Sequence, residues 1–591
     1  MEVHYTVRPA APLEHRGQFT VDLEGVTAPA VDLVLPSWVP GSYVIRNYSR
    51  GFRDFQARRE PEGSPLSVER VDKARWRVRT DGATHVHVEY SVYGHELITE
   101  GFDLTSEHLF LNAALCLPYV DGELGTPVTL SLEVPADWTV VTELEPVGTA
   151  PPRYRAHDYD ELVDNPIDVG RPILLTVHPA GIPHRVCLCG DGGNYDAQTL
   201  ERDVTKVVEA AVALLGDSPL SRYTFFVHLT DVRDGGLEHL ASTSCVVDRS
   251  SFRPAESYRQ FLSLLAHEYL HLYNVKRIRP KALMPFDYTR ENYTRLLWWM
   301  EGTTDYFTDL VLRRAGLLTP TQFLDERAKL VKQYLETPGR NRLSLEDLSF
   351  ATWVDLYLPY EETPNQSVSY YLKGDLVSMC LDLEIRHRTE GRSSLESVLR
   401  LLWKEHGRTG AGVEEEGILP AVRRATDLDL TSFFDRFVRG TEELDLAAFA
   451  HYAGLDLAPR RKGREEREKP EPGDLGVVVD DAGGLARVRH SLAGRPAHAA
   501  GLTPGDEIVA LNGAKVTFGT LEKTLERYPS GTPVDVTVFR RGFLRRVSLV
   551  TGTRPPWKYA FVPMDAPSER ARKVYESWIG EKWAEGLETD D

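Results

Sequence analysis

The stretch Leu264–Asn274, LLAHEYLHLYN, places His267 and His271 four residues apart, with Glu268 directly after the first. Upstream, Phe261, Leu262, Leu265, Ala266, Tyr269 and Leu270 repeat with helical period. Ser250 and Ser251 are candidate N-caps, and Pro254 suits a first turn. On such a helix, positions i and i+4 lie side by side, so two imidazoles can converge on one tetrahedral ion. Glu268 is turned one residue away, toward an open coordination position. That is the geometry of a hydrolytic zinc site. Taken alone, the motif also fits a core helix with two hydrogen-bonded histidines and an exposed glutamate.

Working outward, LLWWMEGTTDYFTDLVL carries Glu301 between an aromatic run and a continuing amphipathic pattern. An unpaired carboxylate is costly to bury there, and a role as third metal ligand removes that cost. Asp305, one turn on, is a candidate acceptor for the free N–H of a ligating histidine, and equally a solvated or capping aspartate. In DGGLEHLAST, Gly235 and Gly236 permit close backbone approach beside Glu238, a carboxylate suited to a substrate's α-ammonium or simply to the surface. In SVSYYLKGDLV, Tyr370 or Tyr371 can supply a phenol to a developing oxyanion, or sit in the core.

The 591 residues are 42% hydrophobic and 27% charged, enough for several domains with sizeable cores. A formal net charge of −19 argues against nonspecific binding to nucleic acid or anionic membrane. No secretory signal is visible and no run is long enough to span a bilayer, which predicts a cytoplasmic protein. Five cysteines at irregular spacing argue against a disulfide framework. The Cys187-Leu-Cys189 pair is a weak metal signal, since no second pair accompanies it.

Residues 1–170 alternate with period two between turn signals, predicting an antiparallel β domain. From about 200 the period changes: an amphipathic helix ends near Gly216, YTFFVHLT reads as a buried strand, and helical segments dominate from 254 to about 450, within an expected mainly helical domain over 171–457. Residues 458–473 are charged and rich in Pro and Gly, the composition of a linker. Residues 474–556 carry short strands and one good helix, and 557–591 read as a helical tail. The expected class is multidomain α+β.

Together, HEYLH (267–271), WWMEGTTDYF, GGLEH (235–239) and YLKG (371–374) resemble the gluzincin metallopeptidases, specifically the glycyl aminopeptidase family with a C-terminal PDZ domain. HLYNVKRIRP, PSWVPGSYVIRNYSR and DELVDNPIDVG add to the likeness, which covers nearly the whole chain. The resemblance implies a thermolysin-like catalytic domain with one Zn²⁺ per chain, held by His267, His271 and Glu301. It also implies Glu268 as general base, Glu238 as anchor of the free amino terminus and Tyr371 as the transition-state tyrosine, with Tyr370 the alternative. His239 stands where related enzymes have Asn. In the module PGDLGVVVDD…PAHAAGLTPGDEIVALNG, Leu475, Gly476 and Val477 fall in a PDZ carboxylate-binding loop, which implies a groove for a peptide C-terminus. The implied activity is removal of small N-terminal residues from peptides with a free N-terminus. The alternatives are a zinc endopeptidase, a non-peptide hydrolase, or a PDZ-centred binding protein with a vestigial metal site.

Overall fold

A computed structural model describes residues 1–460 and 472–583. The chain divides into two compact units. One comprises residues 1–294, 307–317 and 399–415, the other 295–306, 318–398 and 416–591.

The first unit opens with a sheet in which Glu2–Ala11, Arg16–Glu24 and His85–Tyr93 are successive antiparallel neighbours, but Glu2–Ala11 pairs parallel with Val128–Leu132 on its other side, so the sheet is mixed and not the wholly antiparallel one expected. Alternate residues such as Tyr5, Val7, Phe19, Val21, Val88 and Tyr90 are buried, as a one-sided sheet requires. The β-rich N-terminal region is therefore the direct outcome of period-two patterning. A second sheet contains Phe102–Leu104, Leu109–Leu111 and Ile167–Gly170, all three buried throughout. It is followed by a mixed sheet in the order Ile173–Val177, His184–Cys189, Tyr223–Thr230, Ser242–Asp248, Gly235–Glu238. Its three central strands run parallel, and Tyr223–Thr230 is buried along all but its last residue, as a sheet covered on both faces demands. The edge strand Gly235–Glu238 pairs antiparallel with Ser242–Asp248, and the helix Ala255–His271 packs on it.

The expected caps at Ser250 and Ser251 are not used. The helix starts after Pro254, whose ring supplies no backbone donor and whose side chain forms no cap bond.

The second unit is built around Tyr370–Thr389, a helix buried on nearly every face. Its polar residues are paired inward: Arg327 Nη1 contacts Asp375 Oδ1 at 2.5 Å, and Arg386 contacts Asp382 at 2.9 Å and Glu396 at 3.0 Å. The helix Glu569–Ile579 docks here, with Arg386 Nη1 donating to Ser577 O and Trp578 Nε1 to Tyr306 OH. Residues 557–591 are not helical throughout. Lys558–Pro563 is a strand paired antiparallel with Leu455–Arg460, an alternation too short to stand out in the sequence. That pairing also takes residues 458–460 out of the expected linker, most of which lies outside the described residues, as does the acidic end from 584.

Between these two strands lies a sheet of Val477–Ala482, Leu485–Ser491, Glu507–Leu511, Pro533–Arg540 and Phe543–Val550, with helices Pro496–Ala500 and Phe518–Leu525. It has its own core of Leu475, Val488, Ile508, Leu521, Val536 and Val538 among others. Among the described residues, no helix is long and apolar enough to cross a membrane.

Candidate active site

In the first unit, the helix Ala255–His271 carries both histidines on its last two turns. His271 is 2% exposed. Its Nδ1 lies 2.8 Å from the carbonyl oxygen of Asn274. A carbonyl only accepts, so Nδ1 carries a proton and donates it there. Nε2 points at His267 Nε2, 2.8 Å away, with the two rings nearly perpendicular. The carbonyl that orients this ring comes just before Val275, a β-branched residue at φ 118°, which is a strained conformation. Strain immediately beyond a side chain's orienting partner is typical of a functional site.

Glu268 is 4% exposed, and its carboxylate lies against the edge strand. A Cβ placed on Gly236 would come within 2.2 Å of Glu268 Oε1, so only glycine leaves room for the carboxyl there. Thr243 Oγ1, which donates to Leu237 O at 2.9 Å, lies 3.4 Å from Glu268 Oε2. Glu238, Glu268 and His271 offer ligand-type atoms that all lie within 4.8 Å of one another.

The N-terminal region reaches the same place. Gly41, in WVPGSY, has φ 98°, and a Cβ there would stand 2.7 Å from Glu238 Oε2 and 2.6 Å from Leu237 Cδ1. Asp234, at the head of the edge strand, accepts from the Thr99 amide at 3.1 Å.

The other side of the Glu238 strand is held by the segment after the helix. Lys276 Nζ pairs with Asp164 Oδ1 at 2.5 Å, Asp164 Oδ2 accepts from Leu240 N at 2.7 Å, and Arg277 Nη1 donates to Leu240 O. His239 belongs to this cluster, 3.7 Å from Asp164, and is 3% exposed. Burial would push the Asp164 carboxyl up, but Lys276 and His239 outweigh it and hold it well below the usual range. His239 thus serves the strand's anchorage.

In the second unit, Glu301 sits in a single π-helical turn, Trp298–Gly302, and is 2% exposed. Such insertions often accompany functional sites. The turn lies on the helix Tyr370–Thr389: a Cβ on Gly302 would meet Gly374 Cα at 2.6 Å, so the backbones touch. Asp305 follows in the first turn of Thr303–Arg314 and is half-buried. The two tyrosines differ. The Tyr370 hydroxyl lies 3.1 Å from Thr352 Oγ1, whereas the Tyr371 phenol is pushed well up by burial and then by the charge of Glu301. Lys373 is structural: its ammonium donates to the carbonyls of Arg340 and Leu343, and burial lowers its pKa to about 8.

Residues 260–377 match the model of the M61 glycyl aminopeptidase, and residues 4–171 that of the peptidase M61 N-terminal domain. The chain is a metallopeptidase. The crystal structure of an aminopeptidase N family protein from Idiomarina loihiensis resembles this metallopeptidase at 27% identity and TM-score 0.91, over 98% of this chain and 100% of its own. An M1 zinc metallopeptidase from Deinococcus radiodurans is similar over 75% of this chain and 94% of its own, at 15% identity and TM-score 0.48. No curated protein matches.

Sequence reasoning missed Gly41 and Asn274. Gly41 is far from Glu238 in the chain, and nothing local ties them. Asn274 acts through its backbone, which composition does not reveal. For the metallopeptidase, Gly236→Ala is expected to displace the Glu268 carboxyl. Peptide hydrolysis falls on the order of 100-fold with an unchanged circular dichroism spectrum. Full activity in that variant contradicts the placement.

Proposed function

We propose that the chain is a zinc-dependent aminopeptidase, with one Zn²⁺ held by His267, His271 and Glu301. One observation carries the metal site: His267 Nε2 and His271 Nε2 converge to 2.8 Å on one buried helix, and Glu301, 2% exposed in its π-helical turn, is assigned as the third ligand. The donor set suits the ion, for two imidazoles and a carboxylate are a common catalytic zinc triad, and the Asn274 carbonyl holds the His271 ring through Nδ1 with Nε2 turned toward His267. When bound, Zn²⁺ supplies Lewis acidity, polarising the scissile carbonyl and lowering the pKa of water.

The protein's own groups do the rest. Glu268 takes the proton of the attacking water and returns it to the leaving amine. Tyr371 donates to the carbonyl oxygen as charge develops on it. It is preferred over Tyr370 because Glu301's charge reaches its phenol.

Glu238, flanked by Gly235 and Gly236, pairs with the substrate's α-ammonium. Within one amino acid the α-nitrogen and the carbonyl carbon are about 2.5 Å apart. Carboxylates whose oxygens approach within 4.8 Å, as in Glu238 and Glu268, can therefore serve the two ends of a single residue. Gly41 lies against Glu238 and Leu237, so close that a Cβ there would stand 2.7 and 2.6 Å from their side chains. The preference for small N-terminal residues rests on the likeness to glycyl aminopeptidases.

A panel of aminoacyl reporters tests this. Free-amine glycyl and alanyl reporters are expected to be cleaved, N-acetylated ones not, and a chelator to abolish turnover. Tyr371→Phe should lower kcat far more than Tyr370→Phe. Equal cleavage of blocked reporters would instead favour an endopeptidase, and efficient turnover of a phenylalanyl reporter removes the size preference.

Residues 474–556 support a second, separate assignment as a PDZ domain. The strand Val477–Ala482 lies at the sheet edge beside the helix Phe518–Leu525, so an extended peptide can add to it. Leu475, Gly476 and Val477 form the turn entering that strand. Gly476 has φ 75°, and a Cβ there would strike the Cβ of Arg495, whose guanidinium donates to the Thr553 carbonyl and stands 3.7 Å from Asp474 Oδ2. Peptides with a free C-terminus should bind and their amidated forms bind at least about tenfold more weakly. Equal affinity sinks the assignment.

A further inference from the structure

A second cluster of metal-ligating side chains lies in the first unit, away from the catalytic residues. His108, Asp168, Cys189 and His228 each offer a ligand atom within 4.8 Å of the others. They come from four pieces of chain: the turn before Leu109–Leu111 and the strands Ile167–Gly170, His184–Cys189 and Tyr223–Thr230. Register places them. Cys189 stands opposite His228 in the parallel pair of the mixed sheet, and Asp168 pairs with Phe110, whose ring lies 4.5 Å from the His228 ring.

The site is closed. Asp168 and His228 are 0% exposed and Cys189 is 4% exposed. His108 Nε2 and His228 Nε2 approach the same oxygen, Asp168 Oδ2, at 2.8 and 3.0 Å. Yet Asp168 Oδ1 and His228 Nδ1, both fully buried, have no hydrogen-bond partner among the described residues. Buried polar atoms are nearly always satisfied, and two orphans in one cluster of N, O and S donors are what a bound cation relieves. His108 is oriented from behind by Asp103, with Nδ1 3.9 Å from Asp103 Oδ2. Asp103 also faces His95 at 3.5 Å. A carboxylate behind a ligating histidine is the usual support of a zinc ligand.

We propose that His108, Asp168, Cys189 and His228 form a second, structural site for a borderline-soft divalent transition metal, Zn²⁺ above all, which staples the N-terminal β region to the mixed sheet. Two imidazoles, a thiolate and a carboxylate complete a tetrahedral shell with no open position, the mark of a structural rather than a catalytic site. With both imidazoles neutral, one M²⁺ is balanced by the Asp168 carboxylate and the Cys189 thiolate, so the closed site is neutral when filled. Cys187 Sγ, 3.6 Å from Cys189 Sγ, lies beside the shell within an apolar cluster that includes Val141 and Phe226.

This inference does not depend on the aminopeptidase assignment, and sulfur separates the two sites spectroscopically. The full-length protein, stripped of metal by dialysis against chelator, is titrated with Co²⁺. Cobalt uptake is expected to reach about two per chain, with a near-ultraviolet thiolate-to-cobalt charge-transfer band that a His267–His271–Glu301 site cannot produce. In Cys189→Ser the band disappears, uptake falls by one, the metal-induced rise in melting temperature shrinks and peptidase activity persists. If that variant does not fold, His108→Gln, nearer the surface, serves for the same comparison. A wild-type protein saturated with cobalt but lacking the band, or a band that survives Cys189→Ser, overturns the proposal.

Discussion

Two imidazole nitrogens aimed at each other across 2.8 Å are the constraint on which the catalytic region depends. The His271 ring is fixed in that orientation by the Asn274 carbonyl, which accepts from its Nδ1. Nitrogens brought so close call for a proton or a cation between them. The surroundings follow from that demand: a buried helix to fix both rings, a strained residue just past the carbonyl, and a glycine edge strand that lets Glu268 lie flat against it.

The edge strand Gly235–Glu238 joins the chemistry to the rest of the first unit. From one side it meets Gly41 and Thr99 of the N-terminal region, and from the other the Asp164, Lys276 and Arg277 cluster. The β region therefore borders the Glu238 strand, and Gly41 stands where a side chain would displace the Glu238 carboxylate.

Much of this was legible in the sequence because it is periodic or local. The i, i+4 histidines, the period-two strands of the N-terminal region and the all-apolar strand Tyr223–Thr230 each carry their own pattern. Glu301 announced itself as a carboxylate in an aromatic run, although its π-helical turn did not, since one extra residue per turn leaves no compositional trace. Contacts between residues far apart were invisible. Gly41 against Glu238, His239 turned to Asp164 and the strand Lys558–Pro563 closing on Leu455–Arg460 all depend on tertiary packing. The Cys187-Leu-Cys189 pair was noticed, but its partners His108, Asp168 and His228 come from segments that nothing in the chain links.

The most direct test of the catalytic metal site is a crystal of the full-length chain grown with Zn²⁺ and measured on both sides of the zinc absorption edge. An anomalous peak bonded to His267 Nε2, His271 Nε2 and the Glu301 carboxylate is the predicted result. A well-ordered site with those three side chains resolved and no anomalous density between them contradicts it.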